Sequence, residues 1–384
     1  MKKILAVLFA AFLLYVGAAA LPQTLTSVSK AVREEGFEIA AVRNAVDGAY
    51  ADMLPVAGDW IASKGAYINL HGWMAGNMGQ RVMNEVIKLN NGWLYRQKEK
   101  APEEYLRKSA TSIQGLSERA NGQYLYVQTP PKLSKYENQL PSGIEDADNP
   151  ELDFLLACLA EYGVETMDFR DILHDAGIGL YGALYQTDHH WTPETGFFAA
   201  IAIAQRLCGR WGIQADVPAM DFANYEIETY PRWHMGSEGI RVGRYFSGVI
   251  DDYHLITPRF DTRIQNMETG KTGDFTETLV DRSFLQTFNV WDRMTYDGVY
   301  GRSFGWYRNL SEDAIPKKIL LVTDSMGTVV APFLILTFQE VYTAWRITDE
   351  LLDDFAPDMI VEIRHPIYVT KTSVYLPFTQ PLLP

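Results

Sequence analysis

Three short stretches of the chain gather side chains that can move a proton or attack a carbonyl. The first is Asp188-His189-His190-Trp191. In an extended chain successive side chains alternate faces, so Asp188 and His190 are expected on one face and His189 on the other. A carboxylate beside an imidazole orients the ring and stabilises its protonated form, which is the Asp–His half of a catalytic triad. The structural alternative has Asp188 capping local backbone and both histidines at the surface. The second stretch is Thr323-Asp324-Ser325-Met326-Gly327, directly after the apolar run KKILLV. A serine at the turn leaving a buried strand exposes its Oγ at the sheet edge where open α/β sheets place their sites. Backbone N–H groups of that turn, Met326 among them, can hold an oxyanion. Asp324 is too near Ser325 to orient a distant histidine as well, and both residues also read as an ordinary helix N-cap.

The third stretch is Glu362-Ile363-Arg364-His365, at the end of the last apolar run. Glu362 and Arg364 share a face, and a charged pair on a buried strand costs energy unless it is paired. It reads either as a structural ion pair or as Arg364 bracing the catalytic edge, with His365 as a second candidate base. No metal is expected. An extended segment keeps His189 and His190 from chelating together, and the other histidines show no H-x-x-x-H or H-E-x-x-H spacing. No cofactor is expected either.

These residues need a frame to position them. From Tyr105 the chain alternates helix-like and strand-like runs: EEYLRKSATSIQGLSERA, QYLYVQTPPK, PELDFLLACLAEYG, VETMDF and RDILHDAG. Strand, helix, strand at these spacings predicts parallel βαβ units. Thr192-Pro193-Glu194 predicts a helix start, with Thr at the N-cap, Pro at the first position and an acid in the first turn, running to about Leu207. Residues 216–310 are rich in aromatics, Gly and turn residues, and stretches such as IRVGRYFSG and YHLITPRFDT read as an inserted β-rich layer. The rhythm then returns: a strand at Ile319–Val322, a helix over Gly327–Glu340, a strand at VYTAWRI, a helix at DELLDDFAPD and a final strand at MIVEIRH. The expected fold is a three-layer α/β/α sandwich with a mostly parallel sheet and a β-rich insertion, occupying residues 90–384. Within the poorly patterned residues 21–89 no assignment is made.

Composition narrows the function. The 384 residues carry a formal charge of −14, with 47% hydrophobic and 21% charged residues, a globular balance. The acidic charge and the lack of any long Lys/Arg run argue against nucleic acid as a partner. Aromatics make up 12% of the chain, and a share of them can form the stacking platforms that sugars use. Met1-Lys2-Lys3, an uncharged apolar Ile4–Leu21 and the small residues Gly17-Ala18-Ala19-Ala20 read as a secretory signal over residues 1–20, or as the same segment retained as an anchor. Either places the domain outside the cytoplasmic membrane, secreted or attached to the cell envelope. Cys158 and Cys208 sit in apolar helical runs and read as buried small hydrophobes.

Taken together, DHHW followed by TPETG resembles the bacterial DHHW proteins, related to the SGNH-like domains of the alginate O-acetyltransferases. Asp188, His190 and Trp191 match the Asp-x-His-Trp motif, and Asp324 and Ser325 match the Gly-Asp-Ser motif that follows it. NGWLY, YLYVQTPPK, VETMDFRDIL, GSEGIRVGRYFSG and PDMIVEIR fit the same frame, so the resemblance runs from about Asn90 to His365. It implies an SGNH-hydrolase-like fold and acyl transfer to, or hydrolysis from, an extracellular or cell-envelope glycan. Ser325 would be the nucleophile, His190 the base and Asp188 its orienter. A transferase outside the cell would further need a membrane-bound partner to donate the acyl group. The chain departs from the pattern at Thr323, where the motif has Gly. The Gly and Asn that complete the oxyanion hole have no placed counterparts, and Arg302, in the Gly-flanked YGRSFG, is named as a substitute. The rival reading is a glycan-binding or scaffold protein whose triad has decayed. Metal-assisted hydrolysis is a third.

Overall fold

The computed structural model describes residues 64–214, 216–286 and 295–369. The expected export segment, residues 1–20, and the stretch 21–63 lie outside the described residues. Among the described residues no helix is long and apolar enough to cross a membrane. The chain divides into two compact units, residues 1–71 and 72–384. Of the first, only the start of α1 (Lys64–Asn77) is described; everything below concerns the second.

A small antiparallel sheet comes first: β1 (Val82–Met83), β2 (Val86–Lys88) and β3 (Leu94–Arg96). The α/β rhythm then begins with α2 (Glu103–Arg119), β4 (Tyr124–Gln128), α3 (Asp148–Glu161), β5 (Thr166–Asp168), α4 (Phe169–Asp175) and α5 (Pro193–Trp211). The Thr192 hydroxyl caps α5 by accepting from Thr195 N, with Pro193 at the first position. The helix runs past the expected Leu207 and ends where Gly212 turns left-handed at φ 64°.

The insertion is less uniformly β than its composition suggests. β6 (Tyr225–His234) and β7 (Asp251–Pro258) pair antiparallel, but GSEGIRVGRYFSG between them contains helix α6 (Ser237–Ser247). That segment is kinked at Gly243, which takes φ 75°, and it buries Val242 and Phe246 on either side of the kink. β8 (Ile264–Asn266), β9 (Thr272–Gly273) and β10 (Gly305–Asn309) do not form a separate layer; they extend the main sheet.

The rhythm closes with β11 (Ile315–Thr323), α7 (Ala331–Thr337), β12 (Phe338–Ala344), α8 (Asp349–Phe355) and β13 (Met359–Arg364). The helix expected over Gly327–Glu340 is therefore a 3-10 turn (Ser325–Val329), the short α7, and the first part of β12. The run APFLILTF is apolar but for Thr337 and is buried along its whole length, so periodicity cannot separate helix from strand there. Pairing of Phe338 to Ala344 alongside β11 decides it.

The main sheet has eight strands in the order β5-β4-β13-β11-β12-β10-β8-β9. The first five are mutually parallel and the rest antiparallel. Alternation along the central strands builds two cores. Leu125, Val127, Ile319, Leu321, Val361 and Ile363 join α5 and α7 on one face. Tyr124, Tyr126, Leu320, Val322 and Ile360 join α2, α3 and α8 on the other. This is the expected three-layer sandwich, and the C-terminal ends of β4, β11 and β13 meet at one edge. Cys158 and Cys208 are buried thiols on separate helices, α3 and α5.

Candidate active site

The segment before α5 is not extended. Leu184 and Trp191 form an antiparallel bridge, and Tyr185 N–H donates to His190 O at 3.1 Å. Residues between them curl into a loop. Its outward backbone groups are pinned from the insertion: Asp251 accepts from Gln186 N at 2.9 Å and from Thr187 N at 2.8 Å. The buried Lys132, just past β4, donates from Nζ to the carbonyls of Tyr185 and Asp188. Gly236 comes so close that a Cβ there would lie 2.0 Å from Asp188 Cβ, so only glycine fits beneath the carboxylate.

The curl corrects one expectation. His189 does not point away; both rings gather on Asp188, with ring centroids 4.0 Å apart. Asp188 Oδ2 accepts from His190 Nδ1 at 2.9 Å and from His234 Nε2 at 3.0 Å. Oδ1 accepts from the His189 amide at 2.9 Å and from the Ser237 hydroxyl at 3.0 Å. A carboxylate only accepts, so His190 carries its proton on Nδ1 and its Nε2 is left to accept. Ser325 Oγ lies 2.7 Å from that Nε2. Asp188, His190 and His234 are buried, whereas Ser325 is partly exposed.

Burial alone would raise the Asp188 carboxyl, but the charge of His190 and the hydrogen bonds from His189, His190 and His234 outweigh it and hold it well below the usual range. His189 shows the reciprocal effect. Burial opposes its charge, yet hydrogen bonds to Asp188 and Glu238 raise it to about 10. His365 is held well below the usual histidine range, first by burial and then by the charges of His189 and His190. It lies at the same edge, its ring 4.7 Å from that of His189, and its Nδ1 accepts from Ile367 N at 3.3 Å.

The turn bearing Ser325 is held from both sides. Asp324 caps it: Oδ1 accepts from Met326 N at 2.9 Å and Oδ2 from His365 N at 2.7 Å. Asp324 thus ties the end of β11 to the end of β13. Burial pushes its carboxyl up from the ordinary value. Trp191 Nε1 donates to Met326 O at 2.8 Å, which locks the histidine loop to the serine turn. Tyr296 stacks on His190 at 4.0 Å. Thr323, where the motif has Gly, does not adopt positive φ. A Cβ on Gly327 would meet the Thr323 side chain at 2.3 Å, so the missing glycine side chain at 327 makes room for the threonine.

Arg364 Nε donates to Glu362 Oε1 at 2.8 Å, and Tyr124 OH donates to the other Glu362 oxygen. Both charged residues are buried as an ion pair. Arg302 is not brought to this cluster: its half-exposed side chain faces Asp281 at 3.4 Å. The Met326 N–H is spent on Asp324 and the Gly327 N–H on the Asp324 carbonyl at 3.0 Å. One ligand atom each from Asp188, His189 and His190 lie within 4.8 Å of one another. Both Asp188 oxygens already accept from protein donors, so this donor set fits a proton relay better than a cation.

Lys132, His234, Ser237, Glu238 and Tyr296 were not singled out from the sequence. Lone residues far from DHHW, they carry no local pattern. The only hint was GSEG, whose first glycine is the close approach under Asp188. Beside His189, Ser237, Glu238 and His365 lies a cavity of about 510 Å3.

Residues 86–235 match the family model described as the SGNH hydrolase-like domain of acetyltransferase AlgX. That span holds the DHHW loop and His234 but not Ser325. No curated protein sequence matches the chain. Among solved structures, a DHHW family protein from Eubacterium siraeum superposes with a TM-score of 0.54 at 16% identity, over 76% of this chain and 94% of that one. PatB1 from Bacillus cereus superposes at 0.58 and 15% identity, over 74% of this chain and 97% of that one. The same protein with a sulfonyl adduct gives 0.57 at 15% identity, over 78% and 99%. The chain therefore has an SGNH-hydrolase-like fold, and the resemblance read from DHHW and its frame is borne out.

Proposed function

We propose that this chain is an exported serine-dependent acyl-ester enzyme, an O-acetyltransferase or acetylesterase acting on an extracellular or cell-envelope polysaccharide. One observation carries the reading: a partly exposed Ser325 Oγ lies 2.7 Å from His190 Nε2, whose Nδ1 lies 2.9 Å from a buried Asp188. Nucleophile, base and orienter stand in sequence along one hydrogen-bonded line.

In the mechanism this supports, Ser325 Oγ attacks the acyl carbonyl as its proton passes to His190 Nε2. The imidazolium is stabilised by Asp188, whose depressed pKa keeps it ionised. Collapse of the tetrahedral intermediate expels the donor alkoxide, which takes the proton from His190 and leaves an acyl-Ser325. An acceptor hydroxyl then gives its proton to His190 as it attacks the acyl carbonyl, and collapse of that intermediate returns the proton from His190 to Ser325 Oγ, releasing the free serine. Water as acceptor gives an esterase; a sugar hydroxyl gives a transferase. With the Met326 and Gly327 amides engaged by Asp324, the Ser325 amide is the oxyanion donor this turn can offer. The matched model, described as an acetyltransferase domain, favours transfer, with a membrane-bound partner supplying the acyl group.

The test is hydrolysis of 4-nitrophenyl acetate beside Ser325→Ala, His190→Ala and Asp188→Asn, with a sulfonyl fluoride or fluorophosphonate as label. Wild-type turnover and labelling of Ser325, both lost in Ser325→Ala and strongly reduced in the other two, support the triad. A folded protein that neither turns over nor labels is the decayed scaffold.

A further inference from the structure

Strand β12 ends at the same sheet edge as the strand that carries the serine turn. Val322 of β11 pairs in parallel with Ala344, so Trp345 is the first residue past β12 where Asp324 and Ser325 leave β11. Strand spacing and the reach of the chain put the Cα atoms of Ser325 and Trp345 within roughly 20 Å of each other. Trp345 is 53% exposed, but its ring is held in place. Antiparallel pairing of Gly305 with Thr343 brings Phe304 alongside, and the two rings stack at 4.8 Å and 11°. Phe304 covers one indole face, so the exposure falls on the other face and the edge. The segment that ends at Phe304 starts on the proposed base. Tyr296 stacks on His190 at 4.0 Å and 20°, and Asp297 follows it in the short helix Thr295–Val299. Asp297 is exposed, and no described residue hydrogen-bonds to its carboxylate or forms an ion pair with it. Protein nevertheless surrounds it: desolvation raises its carboxyl from the ordinary value, and the charge of His190 is the first influence opposing that rise. A side chain both accessible and partly desolvated stands in a concavity, here the one around His190.

We propose that Asp297 and the Trp345–Phe304 pair bind the glycan acceptor beside Ser325, and that they select neutral pyranose rings. The apolar C–H face of one ring lies on the open face of Trp345. Hydroxyls of a ring nearer the serine donate to the Asp297 carboxylate, which can only accept. An aromatic platform alone would also fit an apolar peptide; the unpaired carboxylate between platform and base is what favours a polyol. The same carboxylate repels a uronic acid placed there, since like charges oppose each other across a partly desolvated cleft. The proposal rests on the glycan part of the functional reading and adds the specificity of that site.

Isothermal titration calorimetry of the full chain with cellotetraose, chitotetraose and tetragalacturonic acid tests it. At least one neutral oligosaccharide should bind in the millimolar range or tighter. Trp345→Ala should raise its Kd about two- to tenfold, the worth of one aromatic contact, while Trp345→Phe, which keeps a ring on Phe304, should retain most of the affinity. Asp297→Asn should weaken the neutral sugar by a similar factor and tighten tetragalacturonic acid, because it removes the repelling charge and keeps the shape. Both side chains are exposed, so Tm should stay near the wild-type value and serves as the check on folding. Three results overturn the proposal: no neutral oligosaccharide binding to folded wild type, unchanged binding in Trp345→Ala or in Asp297→Asn, or tetragalacturonic acid binding wild type best. A serine that turns over 4-nitrophenyl acetate in a protein that binds no sugar removes this subsite and leaves the acyl-enzyme reading. Sugar binding lost in these variants of a protein whose serine neither turns over nor labels removes that reading and leaves the subsite standing.

Discussion

His234 Nε2 lies 3.0 Å from Asp188 Oδ2. That is the same oxygen that accepts from His190 Nδ1 at 2.9 Å. His234 comes from the end of β6 in the insertion, so the orienting carboxylate is itself fixed by the insertion. A carboxylate held by a second donor cannot rotate away from His190, and in the proposed mechanism His234 is accordingly a positioning residue. His234→Ala is expected to lower kcat for 4-nitrophenyl acetate by roughly tenfold, about 1.4 kcal/mol of transition-state stabilisation. KM should hold. His234→Gln should recover part of the loss, since its amide can still donate. A kcat unchanged in His234→Ala shows that the other donors orient Asp188 without it.

Thr323 and Gly327 should be energetically coupled. A Cβ at 327 would fall 2.3 Å from the Thr323 side chain, so Gly327→Ala overpacks the serine turn, with an expected cost of about 1–3 kcal/mol. Thr323→Gly alone leaves a small gap. The double variant should be more stable than the sum of the two singles by about 0.5–3 kcal/mol. Urea denaturation of all four proteins measures the term, and strict additivity contradicts the contact.

His189 makes stability depend on pH in a definite direction. Its folded pKa is raised to about 10, above the roughly 6.5 of an unfolded histidine. Its contribution is therefore complete below about 6.5 and is lost as pH rises toward 10. Lys132 opposes this at the upper end. Burial lowers its ammonium to about 8, so the native state sheds that proton first and gains stability above pH 8. The difference in unfolding free energy between wild type and His189→Gln, taken at each pH, removes the shared Lys132 slope. That difference should shrink steadily from neutral pH toward 10; a difference independent of pH refutes the ion-pair account.

The buried Arg364–Glu362 pair should be expensive to break from one side. Arg364→Met leaves Glu362 without its cation in the sheet interior, where uncompensated charge costs about 3–5 kcal/mol. Glu362→Gln combined with Arg364→Met should restore much of that, because Tyr124 can still donate to the amide oxygen. Thermal denaturation of wild type and the two variants decides between this structural role and one at the serine, which would spare Tm and reduce turnover.

Much of the frame was legible in the sequence. Strands that alternate over two buried faces, a Thr-Pro helix start at 192–193 and a serine directly after an apolar strand are local signals set by backbone geometry and capping. They located the sheet edge, and DHHW with the later Asp324-Ser325 pair named the residues that meet there. The run after Gly327 and helix α6 were misread for the same physical reason: where burial or composition removes the contrast between periods, pairing with a distant strand or packing on a distant loop decides the element.

The sequence alone determined which side chains can act and that they would lie near one edge of a parallel sheet, because chemistry is carried by residue type and edge position by strand order along the chain. The tertiary structure decided how they meet. The curl that brings His189 back to Asp188, the His234 and Ser237 donors, the Lys132 tie, and the choice of Gly327 rather than position 323 to relieve the serine turn all depend on segments far apart in sequence. Such contacts leave no local pattern, since their energy resides in distances that exist only after folding.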